Sequence, residues 1–155
     1  MGSQDTVERY LSKSGLKVEL REFGESTKSS TLAAQVLGCT ISEIAKSVVF
    51  VGKGTAVVII SGDKKVDTLK LTKEAGEVMR VATPAEVRER TGFPIGGVPP
   101  FPHRDGVLVY PDVSLTRFRE VWAAAGTPNT VFRVGSADLV GLAGRGPFDL
   151  AVVQR

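Results

Sequence analysis

Residues 44–60 read Ile44-Ala45-Lys46-Ser47-Val48-Val49-Phe50-Val51-Gly52-Lys53-Gly54-Thr55-Ala56-Val57-Val58-Ile59-Ile60. Two β-branched runs, 47–51 and 55–60, flank Gly52-Lys53-Gly54, a tight hairpin signal. Just upstream, Ser42 is read as the cap of a short helical turn carrying Ile44 and Ala45. Lys46 then falls at a helix-to-strand junction, at the mouth of an apolar strand. An ammonium there meets either solvent, by snorkelling, or a negative partner. As a fixed charge it would stabilise a carbonyl oxygen as negative charge develops on it. A Schiff-base lysine is the third option, and it requires a depressed pKa.

The segments on either side of the hairpin alternate short helices and short strands. Asp5 caps a first helix with Val7, Tyr10 and Leu11 inward, stopped at Gly15. Residues 18–23 alternate as a half-buried strand, and 25–30 form a polar loop. Ser30 or Thr31 opens a second helix with Leu32, Ala33, Val36 and Leu37 on one side, closed by Gly38. Ser61-Gly62-Asp63 breaks the second hairpin strand, and residues 68–75 form a helix ended by Gly76. Residues 78–81 are a short strand. Thr83-Pro84-Ala85-Glu86 combines a threonine cap, proline at the first position and glutamate at the third, opening a helix that ends at Thr91-Gly92.

Residues 92–102 hold too many glycines and prolines for a simple turn. Gly96 and Gly97 admit close backbone approach, and Pro99-Pro100 stiffen the chain after them. The stretch is either a structural crossover or a loop that shapes a pocket from backbone alone. Residues 107–110 are a strand, whereas 115–125 fit either a helix or a strand entering the turn Gly126-Thr127-Pro128-Asn129. Asn129 is a turn residue or a polar group facing a pocket. Residues 131–134 are a strand, Ser136 caps a short helix, and 148–153 form a last strand. Many short strands interleaved with short helices specify an α+β fold with a mixed sheet, in a chain of 155 residues sized for a single domain, 1–155.

Composition narrows the function classes. Apolar residues are 42% and charged residues 24%, as in ordinary globular proteins. No apolar run reaches the ~18 residues that span a bilayer, so no membrane partner is expected. The N-terminus lacks a secretory pattern, and Met1-Gly2 with Thr6 matches the loose myristoylation pattern without a second lipid signal. Cytoplasm is the expected compartment. Cys39 is the lone cysteine and is read as a small buried thiol; with a single histidine beside it, no zinc cluster and no cofactor is expected. His103, beside Arg104 and Asp105, reads as exposed loop rather than a general base. The net charge of +3 permits a phosphate-bearing partner. Lys64, Lys65, Lys70, Lys73, Arg88 and Arg90 could rim an entrance for it.

Several of these elements occur together in one known family. Ser30-Thr31-Leu32-Ala33-Ala34 before Leu37-Gly38, then Ile44-Ala45-Lys46-Ser47, then Ser61-Gly62-Asp63 with Val66-Asp67, come in that order. Further along stand Thr91-Gly92-Phe93, Gly96-Gly97-Val98-Pro99-Pro100-Phe101, Gly126-Thr127-Pro128 and Ser136-Ala137-Asp138-Leu139. Over nearly its whole length the chain resembles the free-standing aminoacyl-tRNA deacylases related to YbaK and to the editing insertion of bacterial prolyl-tRNA synthetase. The resemblance implies a single α+β domain that hydrolyses mischarged tRNA, and a strand at 120–125. It places Lys46 near the ester, and Gly96, Gly97, Val98, Pro99 and Pro100 on the loop that holds the aminoacyl end. Thr31, Gly62, Gly126 and Asn129 would shape the pocket. The partners implied are the acceptor end of tRNA and, behind it, an aminoacyl-tRNA synthetase; DNA is not among them.

The sequence departs from the family pattern twice. Asn129 stands where related deacylases carry histidine, and Ala124 where members acting on cysteinyl-tRNA(Pro) carry serine. Two rival readings keep the fold and change the function: a non-catalytic tRNA- or synthetase-binding module, and a hydrolase of other acyl esters.

Overall fold

Strands β2 (Ile44–Val51) and β3 (Thr55–Ser61) pair antiparallel along their whole length, from Ala45 opposite Ser61 to Val51 opposite Thr55. The turn closes with Gly52 N–H donating to Gly54 O at 2.9 Å. Every residue of β3 is buried, which accounts for an apolar run without alternation. The computed structural model describes residues 3–16, 18–24, 27 and 29–153. Met1, Gly2, Glu25, Ser26 and Lys28, on which the myristoylation pattern and part of the polar loop fall, lie outside the described residues.

Around this hairpin the sheet is mixed, as the sequence pattern requires. Its order runs β1 (Glu19–Glu22), β7 (Thr130–Gly135), β6 (Glu120–Ala124), β2, β3, β5 (Val107–Pro111). The β2–β6 and β3–β5 pairs are parallel and the others antiparallel. The two-residue β4 (Arg80–Val81) also pairs with β2, antiparallel. One face packs Ala45, Val49, Val57, Ile59, Val121, Phe132 and Val134 against α1 (Ser3–Lys13), α4 (Pro84–Thr91), α5 (Ser136–Ala143) and the 92–102 loop. The other face is covered by α2 (Ser30–Leu37), α3 (Thr68–Ala75) and the C-terminal segment.

The local signals set most of the boundaries. Thr83 and Glu86 form the capping box of α4, Asp67 caps α3, and Gly38, Gly76 and Gly92 end their helices in the left-handed region. Residues 120–124 are strand, as the family resemblance implies and composition leaves open.

Four local expectations are corrected. Ile44 and Ala45 belong to β2, not to a helical turn. The 3₁₀ turn Ile41–Glu43 is held by a Thr40–Glu43 capping box and stops before them, and Trp122 and Ala123 of β6 recruit both residues into the sheet. Asp5 lies within the first turn of α1 rather than at its cap. Gly135, not Ser136, is the cap residue of α5; the Ser136 hydroxyl donates to Phe118 O instead. Residues 148–153 make only isolated bridges, Phe148 with Asp112 and Ala151 with Val66. The buried Asp112 carboxylate accepts from Leu150 N–H at 2.7 Å and steers the segment across the sheet rather than along it.

Candidate active site

The two edges of β2 are used differently. On the β3 side the ladder is complete. On the other side β6 pairs only with Ile44 and Ala45, and β4 only with Phe50 and Val51. Ala82 N–H extends the β4 contact by one bond, to Val49 O at 2.9 Å. Backbone groups alternate between the two edges of a strand. Ser47, two residues before Val49, therefore turns its N–H and C=O toward the gap, and among the described residues no strand meets them. Its hydroxyl oxygen is buried without a partner among the described residues.

A cleft of about 440 Å³ opens at this gap. Its floor is residues 44–49 of β2 with 122–124 of β6. One wall is Thr27, Ser29, Ser30, Ala33 and Gly62, and the facing wall is Val81, Ala82, Val87, Ile95, Gly96 and Val98. The lining is mostly small and apolar, with a few polar groups at defined places, as small-molecule sites commonly are.

Lys46 is the one charged side chain that the described residues place on the cleft. It is half-buried and makes no hydrogen bond or ion pair among the described residues. Burial lowers its pKa below the ordinary lysine value, and the charge of Asp63 draws it partly back. Asp63 does not close on Lys46 because Arg117 holds it at 2.7 and 3.2 Å. The Arg117 guanidinium is itself anchored on Ser114 O at 2.9 Å and keeps the Asp63 carboxyl below its usual range. The ammonium is thus left free, with a tethered carboxylate at longer range.

Gly62 lets the walls close. A Cβ there would lie 2.5 Å from Ile41 O and 2.8 Å from Ser30 Cβ, so a side chain would push the 3₁₀ turn and the start of α2 away. Gly97 allows the same close packing behind the opposite wall, where a Cβ would lie 2.8 Å from the Thr127 carbonyl carbon. The two loops singled out in the sequence, 96–100 and 126–129, are therefore packed backbone to backbone. Gly97 N–H turns back to Pro94 O at 2.9 Å. Gly96 and Val98 line the cleft, and their amides have no hydrogen-bond partner among the described residues.

The sequence-predicted residues separate into three groups. Lys46, Gly62, Gly96 and Val98 line the cleft. Gly97, Pro99 and Pro100 lie behind it, and Gly126 and Asn129 brace it from the turn. Asn129 gives its amide to Phe23 O at 2.7 Å and accepts from Thr127 Oγ1 at 3.0 Å, so it ties the turn to the end of β1 rather than facing the cleft. Thr31 is exposed and off the cleft lining. Ser29 caps α2 by accepting from Leu32 N–H at 3.1 Å, and that start turns Ser30 and Ala33 inward instead. Ser29, Ser30 and Ser47 are the polar groups that sequence reasoning misses; the i, i+3 spacing of Ser30 and Ala33 is the available signal for the α2 face.

The expected basic rim does not assemble as one feature. Lys70 is paired with Asp149 at 3.2 Å, and Arg90 donates to Thr55 at the end of β3 remote from Gly62. Cys39 is partly buried, and burial together with Glu43 raises its thiol pKa, which makes it a poor nucleophile. Among the described residues no three His, Cys, Asp or Glu side chains cluster as a metal ion would require. No described helix is long and apolar enough to cross a membrane.

The cleft is shaped by glycines, opens at a split sheet edge and, among the described residues, holds one lysine free of a partner. The chain belongs to the aminoacyl-tRNA editing domain family, whose sequence model matches residues 24–142. The family resemblance read from the motifs is borne out, and aminoacyl-tRNA deacylation is the activity of this class. Among solved structures, a candidate trans-editing enzyme for prolyl tRNA synthetase is 39% identical, with a TM-score of 0.89 over 99% of each chain. The hypothetical protein APE2540 is 30% identical with a TM-score of 0.89, over 95% of this chain and 99% of that one. The uncharacterized protein YwhH of Bacillus subtilis (strain 168) is 36% identical over 139 residues, 88% of each chain.

Proposed function

We propose that this protein is a trans-editing deacylase that hydrolyses the ester joining a wrong amino acid to the terminal ribose of a tRNA. The observation that carries the reading is the half-buried Lys46 ammonium, free of any pair among the described residues, in a cleft shared with the Gly96 and Val98 amides. An aminoacyl ester is already activated, so the attacking water or neighbouring ribose hydroxyl needs orientation more than a strong base. Lys46 and the loop amides stabilise the negative charge that develops on the ester oxygens. The bond to the ribose oxygen then breaks, and free amino acid and uncharged tRNA leave.

The remaining residues of the site take supporting parts in this reading. Gly97, Pro99 and Pro100 set the loop's path, Gly62 lets the opposite wall close, and Gly126 and Asn129 brace the turn under the loop. Ala45, Ala123 and Ala124 leave room for the amino-acid side chain. The single-stranded acceptor end of the tRNA is the macromolecular partner, with a synthetase as the enzyme whose errors are cleared. Thr31 takes no direct part.

Incubation with alanyl-, seryl-, threonyl- and cysteinyl-tRNA, beside Lys46→Ala, tests this. Cleavage of one or a few substrates is expected, falling roughly 10²–10³-fold in the variant, as for loss of one oxyanion donor. Binding of tRNA without cleavage of any substrate would instead identify a binding module.

A further inference from the structure

Residues 94–102 contain Pro94, Pro99, Pro100 and Pro102, and so lack four backbone donors. Among the described residues, the segment makes one internal backbone hydrogen bond, from Gly97 to Pro94. A loop so poor in donors cannot fix its own shape. Something outside its main chain must hold the carbonyls that its prolines leave unpaired.

His103 supplies that hold. Its Nε2 lies 2.8 Å from Pro99 O, and because a carbonyl only accepts, Nε2 carries the proton. The ring stands edge-on to Phe93, with centroids 5.9 Å apart. Nδ1 is left as a bare acceptor, buried and without a partner among the described residues. Burial lowers the imidazole pKa, which favours this neutral form. Beside it Arg104 donates to Glu89 O at 2.8 Å and covers Gly92, so both ends of the loop are fastened to α4 and its flank. Read from sequence, His103 is exposed loop; in the fold it is largely enclosed, in the wall of a second, smaller cavity behind the loop.

We infer that His103 is a positioning residue for the reaction: from behind the cleft, its Nε2–H fixes Pro99 O and thereby aims the Gly96 and Val98 amides at the ester. This rests on the proposed deacylase reading, because only there do those amides have an oxygen to meet. Pro99 O belongs to the Pro99–Pro100 peptide, one peptide plane removed from the plane that carries the Val98 N–H. The Pro99 ring fixes φ between them, so holding this oxygen restricts the path of the chain back to Val98.

Three variants test it. His103→Phe keeps an aromatic ring against Phe93 without the donor. His103→Gln restores an amide nitrogen near the Nε2 position, and His103→Asn is too short to reach. Amide hydrogen exchange at Gly96, Gly97 and Val98, and kcat and KM on a cleaved aminoacyl-tRNA, are the readouts. In the Phe and Asn variants exchange at the three amides rises and kcat falls roughly ten- to a hundredfold with KM little changed, and Gln recovers most of both. Unchanged exchange, unchanged kcat, or a Gln variant as impaired as Asn would overturn the inference. If His103→Phe does not fold, the Gln–Asn pair decides alone. A wild-type protein that cleaves no aminoacyl-tRNA would overturn the deacylase reading, while the exchange experiment still decides whether His103 holds the loop.

Discussion

The two edges of β2 are put to opposite uses. Toward β3, seven residue pairs run unbroken and the strand beside it is wholly buried. Toward β6 and β4 the ladder is interrupted, and the peptide of Ser47 is left to face a cleft. An unpaired edge is ordinarily a hazard that proteins cover. Here it is flanked by two short partner strands, walled by α2 and the 96–100 loop, and furnished with a lysine. In the proposed reading, stability resides on the complete edge and chemistry at the break.

Substitutions should separate the two. Lys46→Met is expected to have the largest effect on activity, a loss of roughly 10²–10³-fold in deacylation, because it removes the one side-chain charge that the described residues place at the break. The same change should leave the melting temperature unchanged or raise it, since burial disfavours the ammonium and a site built for function is often kept at the expense of stability. The pH dependence has a definite sign. The folded-state pKa of Lys46 lies below its ordinary 10.5, so between those two values the unfolded chain binds more protons and stability rises with pH. Denaturant titrations across that window should show the rise in wild type and lose it in Lys46→Met. The enzyme-dependent rate should fall as pH climbs through the lowered value.

Gly97→Ala comes next. Its methyl would meet the Thr127 backbone at 2.8 Å, so one of the two packed loops must move. Deacylation should fall roughly tenfold or more, as displaced catalytic groups do, with a lower melting temperature. Full activity with an unaltered melting temperature would show that the loops are not rigidly seated on each other.

The smallest effects distinguish bracing from contact. Asn129→Ala should cost about 1–2 kcal/mol in a denaturant melt, because it strands the Phe23 carbonyl, and should change kcat little. Thr31→Ala should alter neither quantity, since its side chain is exposed and off the cleft. A tenfold loss of activity in Thr31→Ala would mean that the bound tRNA end reaches the outer face of α2.

How far the fold is legible in the sequence depends on the range of the forces involved. The hairpin, α3 and α4 are readable because Gly52-Lys53-Gly54, Asp67 with Gly76, and the Thr83–Glu86 box act within a few residues. Ile44 and Ala45 read as helix because their strand character comes from Trp122 and Ala123, far along the chain. Thr31 enters the pocket reading only through the family resemblance; in the fold the Ser29 cap sets a helix start that turns Ser30 and Ala33 to the cleft instead. Lys46 can be singled out, but its freedom cannot: that depends on Arg117 occupying Asp63, a pairing across 54 positions. The gap in the sheet is invisible for the same reason, since it is an absence of pairing between distant strands. His103 looks exposed beside two charged neighbours, and only the folded loop encloses it.

The most direct test of the site is a backbone NMR titration with a non-hydrolysable, amide-linked aminoacyl-adenosine. The amide signals of Ser47, Gly96 and Val98 are expected to shift first and most, with smaller changes along 122–124. Shifts confined to other surfaces, or none at saturating analogue, would contradict the assignment of the cleft at the β2 break as the place where the aminoacyl ester binds.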